Sequence, residues 1–543
     1  MINQTNSGQQ KRVFLAVVLS FLFFIAYSEF FISPTLSKDQ NSSNNASTQT
    51  EPPTKNLAST EALNQAPITQ SSETPIIQSS NQAKYIVDIQ SEHFAAKLDH
   101  LGRIASFVLK DPKFKDEQGN NLELIKNEDN KPLPLELRFA DNSLNQKAFS
   151  VNYLSDKSEL NLNENSSATV SLSQNLGDLT VHKIISFHSK GNYEVEVKLS
   201  KDARYFISAG SRPSVAVDSY TVHGGLILDN KDTVHTFEDG DVGQNTEIFA
   251  SLMSSFDRYY AAFFYNFDTP LQTLITKDTK GDTVIYASSN NAFKAGGYVG
   301  AKDYSLLKEL DPRLERVIEY GWFTFIAKPV FAFLNWLFAY LGNWGWAIVV
   351  LTLVIRLVLF PLTYKSMISM NKLKDLAPKM TELRQKYKGD PQKLNIHMME
   401  LYKKHGANPF SGCLPILLQI PIFFAIYRVL LNAVELKGAP WALWIEDLSV
   451  LDPYYVLPIL MGATMFLQQI ITPMAIQDPM QARIMKFLPV VFTFFFLWFP
   501  AGLTLYWCVN NVCSLIQQWV INKMFDKEHH QKKLEGQKNE NRS

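Results

Sequence analysis

Arg356 interrupts an apolar run, Val349-Val350-Leu351-Thr352-Leu353-Val354-Ile355-Arg356-Leu357-Val358-Leu359-Phe360. It is the residue here whose type and place most plainly ask for a chemical reason. The next cation, Lys365, stands nine residues on, about 13.5 Å along a helix, which is more than snorkelling recovers. A charge held near mid-bilayer costs ~2.5–3.5 kcal/mol on insertion scales. No Asp or Glu lies within the other apolar runs of the C-terminal half to pair with it. The reading that answers this cost is an arginine facing a water-filled cavity inside a helix bundle. Polar walls are available from Thr352, Gln419, Gln468, Gln469, Asn510, Asn511 and Ser514. Such a cavity does no covalent chemistry. A positive charge without an internal counter-ion attracts an acidic group from outside the chain. Two function classes fit: a transporter or channel for an anionic solute, and a device that receives the acidic, hydrophilic part of another polypeptide crossing a membrane. Transporters commonly show two similar halves, and no internal repeat is present. A second arginine, Arg428, stands seven residues from Glu435, and outward snorkelling accounts for it.

The rest of the chain offers no catalytic set. There is no P-loop, HExxH, GxSxG or metal-ligand cluster. His93, His100, His182, His188, His223 and His235 are scattered, as ordinary surface or core histidines are. Cys413, Cys508 and Cys513 are too few for a disulfide scaffold. We expect no enzyme activity, no catalytic residues, no metal and no cofactor.

The elements that must hold Arg356 follow from apolar length and charge. The 543 residues balance 52 Lys+Arg against 52 Asp+Glu, which argues against a wholly basic nucleic-acid binder. That zero is a sum of unlike blocks. Residues 83–320 carry 26 basic and 34 acidic side chains, and residues 365–413 carry 10 and 4. Residues 435–453 are acidic on balance, while residues 1–12 and 522–543 are basic. Runs of about 20 apolar residues cross a ~30 Å hydrocarbon core. They predict spans at 13–32, 346–364, 414–434, 454–472, 487–501 and 503–521, with a turn supplied by Pro500-Ala501-Gly502. With the N-terminus inside, every basic block falls on the cytoplasmic side and every acidic block outside, as retention of Lys and Arg requires. The first run also fits a signal peptide with Ala26-Tyr27-Ser28 as cleavage site, but its length favours an uncleaved anchor.

The exported part begins with a linker, 33–82, so rich in Ser, Thr, Asn, Gln and Pro that it stays disordered. From residue 83 to 320 short alternating strands, among them Tyr85–Ile89, Arg103–Leu109, Leu135–Phe139 and Tyr193–Leu199, predict an all-β antiparallel sandwich. It reads as a binding or scaffolding module. Residues 321–342, rich in Phe and Trp and interrupted by Pro329 and Asn335, suit an interfacial amphipathic helix. Inside, residues 366–406 form a helical hairpin. Leu373, Leu376, Met380, Leu383 and Tyr387 keep a heptad seam, Gly389-Asp390-Pro391 breaks the helix, and Leu394, Met398 and Leu401 return it. Its basic outer face would meet anionic lipid or ribosomal RNA.

At this point the residues resemble the YidC family of bacterial membrane protein insertases, which has mitochondrial and chloroplast relatives. The resemblance is carried by Asn343-Trp344-Gly345-Trp346, by Arg356 with Phe360-Pro361-Leu362-Thr363, and by Asn408-Pro409-Phe410-Ser411-Gly412-Cys413. It continues through Gln419-Ile420-Pro421-Ile422-Phe423, Leu443-Trp444-Ile445-Glu446-Asp447-Leu448, Asp452-Pro453-Tyr454-Tyr455 and Phe499-Pro500-Ala501-Gly502-Leu503-Thr504-Leu505-Tyr506-Trp507. It implies a polytopic α-helical inner-membrane protein of the Gram-negative form. Six transmembrane helices would carry a five-helix insertase core (343–521), both termini would be cytoplasmic, and the periplasmic β domain would be a supersandwich. It implies a groove open to cytoplasm and lipid, where Arg356 attracts acidic residues of a substrate whose apolar segment slides into lipid along the third and fifth core spans. Thr352, Tyr506 and Trp507 match substrate-facing positions, and Gln419 joins them in the groove. Trp507 stands where Tyr is expected in many members, which leaves a flat amphipathic face but no hydroxyl. Arg428 stands where a neutral aromatic is commoner. The implied partners are nascent membrane proteins, the Sec translocon, the ribosome through the hairpin and the basic tail, and lipid, but not DNA.

Overall fold

The computed structural model describes residues 85–116, 118–127, 131–213, 215, 221–243, 245–406, 414–472 and 479–540. The expected N-terminus 1–12, first span 13–32, linker 33–82 and the motif Asn408–Cys413 lie outside the described residues. The chain forms two compact units that divide between Ile318 and Glu319, close to the expected boundary at 320.

The first unit is built on two sheets. The smaller has five strands in the spatial order Glu123–Lys126, Ile104–Leu109, Phe94–Asp99, Tyr85–Ser91 and Glu159–Leu162. The larger has thirteen strands. Its main path runs from Leu137–Phe139 and Tyr205–Ser208 through Thr283–Ser289, Leu271–Lys277, Thr246–Phe256, Tyr260–Tyr265 and Phe293–Ala301 to Asn192–Leu199, Thr180–His188, Ser167–Asn175 and Leu154–Ser155. One pairing departs from the antiparallel expectation: Tyr85–Ser91 runs parallel to Glu159–Leu162. Parallel neighbours need a long crossover, and the 67 residues between these strands provide it. Two helices, α1 (Asn142–Ser150) and α2 (Tyr304–Leu310), start on side-chain caps from Asp141 and Asp303.

Strand alternation also buries a charge. In Thr180–His188 the inward positions are Val181, Lys183, Ile185 and Phe187, all 1% exposed or less. The Lys183 ammonium donates to Gly102 O and Leu135 O, each at 2.9 Å, and lies 4.7 Å from the Tyr153 ring centroid. Around it, Arg103 pairs with Asp99 at 2.7 Å and Glu136 at 2.8 Å, and Arg138 pairs with Glu136 at 2.7 Å. Two carboxylates are thus already matched by two guanidiniums. Burial, the dominant effect, pushes the Lys183 pKa down to about 7, although Asp99 and Glu136 pull the other way.

The second unit is helical: α3 (Thr324–Leu341), α4 (Trp344–Asp375), α5 (Ala377–Lys386), α6 (Pro391–His405), α7 (Leu414–Asn432), α8 (Val456–Ile471), α9 (Pro479–Phe496) and α10 (Ala501–Glu540). Among the described residues, α3 and α4 are long and apolar enough to cross a membrane, and Gln419–Asn432, Val456–Ile471 and Lys486–Phe496 are shorter apolar stretches. Helix α3 buries Ala327, Phe331, Leu334 and Leu337. Its other side exposes Phe325, Trp336 and Tyr340. Between these sides Thr324, Lys328 and Asn335 share a narrow polar stripe. Gly462 on α8 sits where a Cβ would fall 1.9 Å from Thr493 Oγ1 of α9, and its missing side chain is what lets these helices approach.

Pro500-Ala501-Gly502 does not make the expected turn. The break is Leu497–Pro500, and Ala501 and Gly502 already open α10. Pro500 O instead accepts from Thr504 N at 3.1 Å, starting the helix. Gly502 is small because Leu448 lies against it: Gly502 N donates to Leu448 O at 2.9 Å, and a Cβ would come 3.1 Å from that oxygen.

The hairpin seam packs as a cluster of Leu373, Leu376, Met380 and Met398, with Leu383, Leu394, Leu401 and Tyr402 against it. Its first arm is the end of α4 plus α5, joined at Leu376. Asp390 caps α6 by accepting from Lys393 N at 3.0 Å, and Tyr387 stacks on His397 at 4.7 Å.

Candidate functional site

Arg356 lies twelve residues into α4, about 18 Å from its start. Four residues before it, Thr352 occupies the same helix side and is 1% exposed, its hydroxyl turned back to Ile348 O at 2.7 Å. Across from it runs α10. Arg356 Nε donates to Asn510 Oδ1 at 2.8 Å, while Nη2 donates to Asn510 O at 3.1 Å and to Ser514 Oγ at 2.5 Å. Asn510 and Ser514, four residues apart, are neighbours on one face of a helix. Every acceptor is uncharged. A guanidinium has five N–H donors; three are used here, and those on Nη1 have no partner among the described residues.

One turn before Asn510 stand Tyr506 and Trp507. Tyr506 is 1% exposed and its hydroxyl accepts from Gln419 Nε2 of α7 at 3.1 Å. Trp507 packs among rings: Phe423 edge-on at 4.7 Å, Phe496 at 5.4 Å and Phe492 at 6.5 Å. Of the seven candidate walls, then, Asn510 and Ser514 touch Arg356 and Gln419 touches Tyr506. Asn511 faces α8 instead, donating to Met461 O and Thr464 Oγ1, each at 3.4 Å. Gln468 and Gln469 make no hydrogen bond to Arg356. Thr352 and Tyr506 are covered, so a polypeptide reaches them only where helices separate.

Arg428 takes no part in this site. It follows Gln419 by nine residues, half a revolution round a helix. It shares its face with Phe424, which stacks on Phe323 at 5.8 Å, and with Asn432, whose amide donates to Glu319 O at 3.0 Å. A Cβ at Gly321 would lie 3.8 Å from Arg428 Nε and 3.6 Å from Glu319 Oε1.

The sequence reading missed how segment 435–453 binds three helix starts. Asn343, the cap of α4, donates to Pro440 O and Trp441 O, each at 3.1 Å. Asp452 accepts from Leu457 N of α8 at 2.6 Å and from Trp444 Nε1 at 2.9 Å. Val450 O and Leu448 O accept from Ala501 N and Gly502 N of α10 at 2.6 and 2.9 Å. Asp452-Pro453 ahead of an apolar run was the available signal for the cap. A second buried amide set was also missed: Asn371 and Gln518 both donate to Asn522 Oδ1, at 3.1 and 2.7 Å.

Residues 336–528 match the family model described as 60Kd inner membrane protein, and residues 250–333 match that of the YidC periplasmic domain. The chain is 61% identical to the membrane protein insertase YidC of Campylobacter jejuni over 98% of its own length and 99% of that protein's. The chain belongs to the YidC family of membrane protein insertases. YidC of Wolinella succinogenes is 48% identical, over 95% of each chain, and that of Helicobacter pylori strain 26695 is 43% identical over 95% and 96%. A solved YidC insertase with its first transmembrane domain resolved aligns at 20% identity over 80% of this chain and 92% of its own, with a TM-score of 0.36, too low to carry geometry across. Family membership assigns the helical unit to an inner-membrane insertase core and the β-rich unit to a periplasmic domain. It disfavours the solute transporter.

Proposed function

We propose that this insertase works through the face between α4, α7 and α10, with Arg356, Thr352, Gln419, Tyr506 and Trp507 as its substrate-binding groove. The observation that carries the reading is Arg356 held in the helical core by neutral acceptors alone. A carboxylate entering from a nascent membrane protein would find a cation that no acid among the described residues neutralises, in surroundings where charge is poorly screened. Water in the groove lowers the cost of bringing a polar segment partway across, and partition of the apolar segment into lipid drives release. Segment 435–453, bonded to the starts of α4, α8 and α10, would seal the outer end.

On this reading six helices span the inner membrane, the first from the N-terminal apolar run, with both termini cytoplasmic. The periplasmic unit is a supersandwich, α3 lies in the outer interface, and the hairpin α5–α6 stands in the cytoplasm to receive substrate. Val456–Ile471 measures about 24 Å, short for a ~30 Å core, so the bilayer thins locally and shortens the polar path. The chain also acts as a folding chaperone, alone or beside the Sec translocon. Its basic tail and hairpin meet the ribosome.

Site-specific crosslinking from Trp507 to ribosome-bound nascent membrane proteins tests this. Adducts that disappear when the nascent apolar segment is replaced by a polar one are expected, without saturable anion uptake into vesicles. Uptake with no adduct would reverse the assignment.

A further inference from the structure

The three bonds that fix Arg356 also decide which of its edges is left for a substrate. Nε and both hydrogens of Nη2 face α10 and are used up by Asn510 and Ser514, which are 7% and 4% exposed. Ser514 Oγ in turn donates to Asn510 O at 2.9 Å, so the serine is itself held in place. The unpartnered Nη1 belongs to the opposite edge. An incoming carboxylate would be met by the two N–H donors of Nη1, the ones these bonds leave free for a charge-assisted contact.

Resting on the groove reading above, we propose that Asn510 and Ser514 are positioning residues that make the insertase selective for acidic exported segments: they orient Arg356 while leaving its charge uncompensated. Position 510 needs an acceptor of this shape, and a carboxylate has the same shape. Asp there would make the same two contacts, geometry unchanged, and would supply a counter-ion that Arg356 does not find among the described residues. The neutral amide therefore decides whether Arg356 stays available to an outside carboxylate. Ser514 contributes a bond without charge and helps hold the guanidinium so that Nη1 stays free.

The test uses the full-length protein in proteoliposomes and two versions of one short single-span substrate. One has Asp and Glu in its exported segment; the other has Asn and Gln at the same places. Insertion of the acidic version by Asn510→Asp should fall about fivefold, to the level of the neutral version, as expected when an internal ion pair competes for the cation. Insertion of the neutral version should stay within about twofold of the unaltered protein, and it reports at the same time that the variant is folded. Asn510→Ala, which removes the side-chain acceptor without adding charge, should keep a clear preference for the acidic substrate. Ser514→Ala should reduce that preference about twofold, the size of one modest hydrogen bond. The proposal is overturned if Asn510→Asp inserts the acidic substrate normally, if both substrates fall together, or if Asp and Ala at 510 behave alike. Arg356→Ala serves as a separate arm: an acidic preference that survives it would overturn the groove reading itself, and this proposal with it.

Discussion

Arg356 Nε and Asn510 Oδ1 meet at 2.8 Å across 154 residues of chain, and this bond joins the half-buried cation of α4 to a neutral amide on α10. It replaces the ion pair a helix bundle would ordinarily need. Charge and orientation at this point are separable, because one residue supplies the first and another the second.

Substitution of the cation follows from that separation. Arg356→Ala should lower insertion of acidic-segment substrates about tenfold, the order expected for one charge-assisted bond in a poorly screened site. Arg356→Lys keeps the charge and should retain most activity, with some loss because an ammonium cannot present the planar edge. Equal insertion by all three proteins in a reconstituted assay would end the groove-charge reading.

Lys183 predicts the pH dependence of the periplasmic unit. Its folded pKa lies near 7, below the ordinary value of 10.5. Below pH 7 it is protonated in both states, and the cost of burying its charge is borne in full. Between about 7 and 10 the folded state is neutral while the unfolded chain still binds the proton, so stability rises with pH. The gain ends near pH 10, where Tyr153, Tyr193, Tyr260, Tyr286 and Tyr298 ionise in the unfolded chain but are kept neutral by burial in the folded one. Denaturant titrations of the full-length protein at pH 6.5 and 9, read from the β signal (about two pH values bracketing the window), should show the rise. Lys183→Met should flatten it. A fall in stability across that window would refute the neutral lysine.

Helix approach at Gly462 gives a packing test. Gly462→Ala places a methyl 1.9 Å from Thr493 Oγ1 and should cost about 1–3 kcal/mol, as overpacking does. Thr493→Ala removes that oxygen and should restore much of the loss in the double variant, measured by thermal unfolding in detergent. No rescue would mean that α8 and α9 do not meet there.

The hairpin seam should open as a unit. Met380→Asp buries an unpaired carboxylate in a cluster with Leu373, Leu376 and Met398, which costs several kcal/mol. Amide exchange should lose protection in α5 and α6 together while α4 near Arg356 keeps its own. Loss confined to α5 would show that the arms are independent.

The sequence alone determined what depends on local pattern and total charge. Apolar runs, the alternation of basic and acidic blocks, the 3-4 spacing of the hairpin seam and the absence of any acid near Arg356 are all one-dimensional properties. Alternating strands marked the β unit, and the break near Pro500 was visible, though it lies at Leu497–Pro500. Tertiary structure decided which distant groups meet. Seven polar residues were equal candidates for the wall; rotation about α10 turns Asn510 and Ser514 toward Arg356 and Asn511 toward α8. Half a revolution along α7 separates Gln419 from Arg428 and takes that second arginine out of the site. The order of thirteen strands, the parallel pair and the burial of Lys183 rest on pairings between segments far apart in the chain, and no local propensity encodes them. The order of residues could therefore show that no acid lies within the apolar runs beside Arg356, and only the packing of α4 on α10 shows what holds it instead.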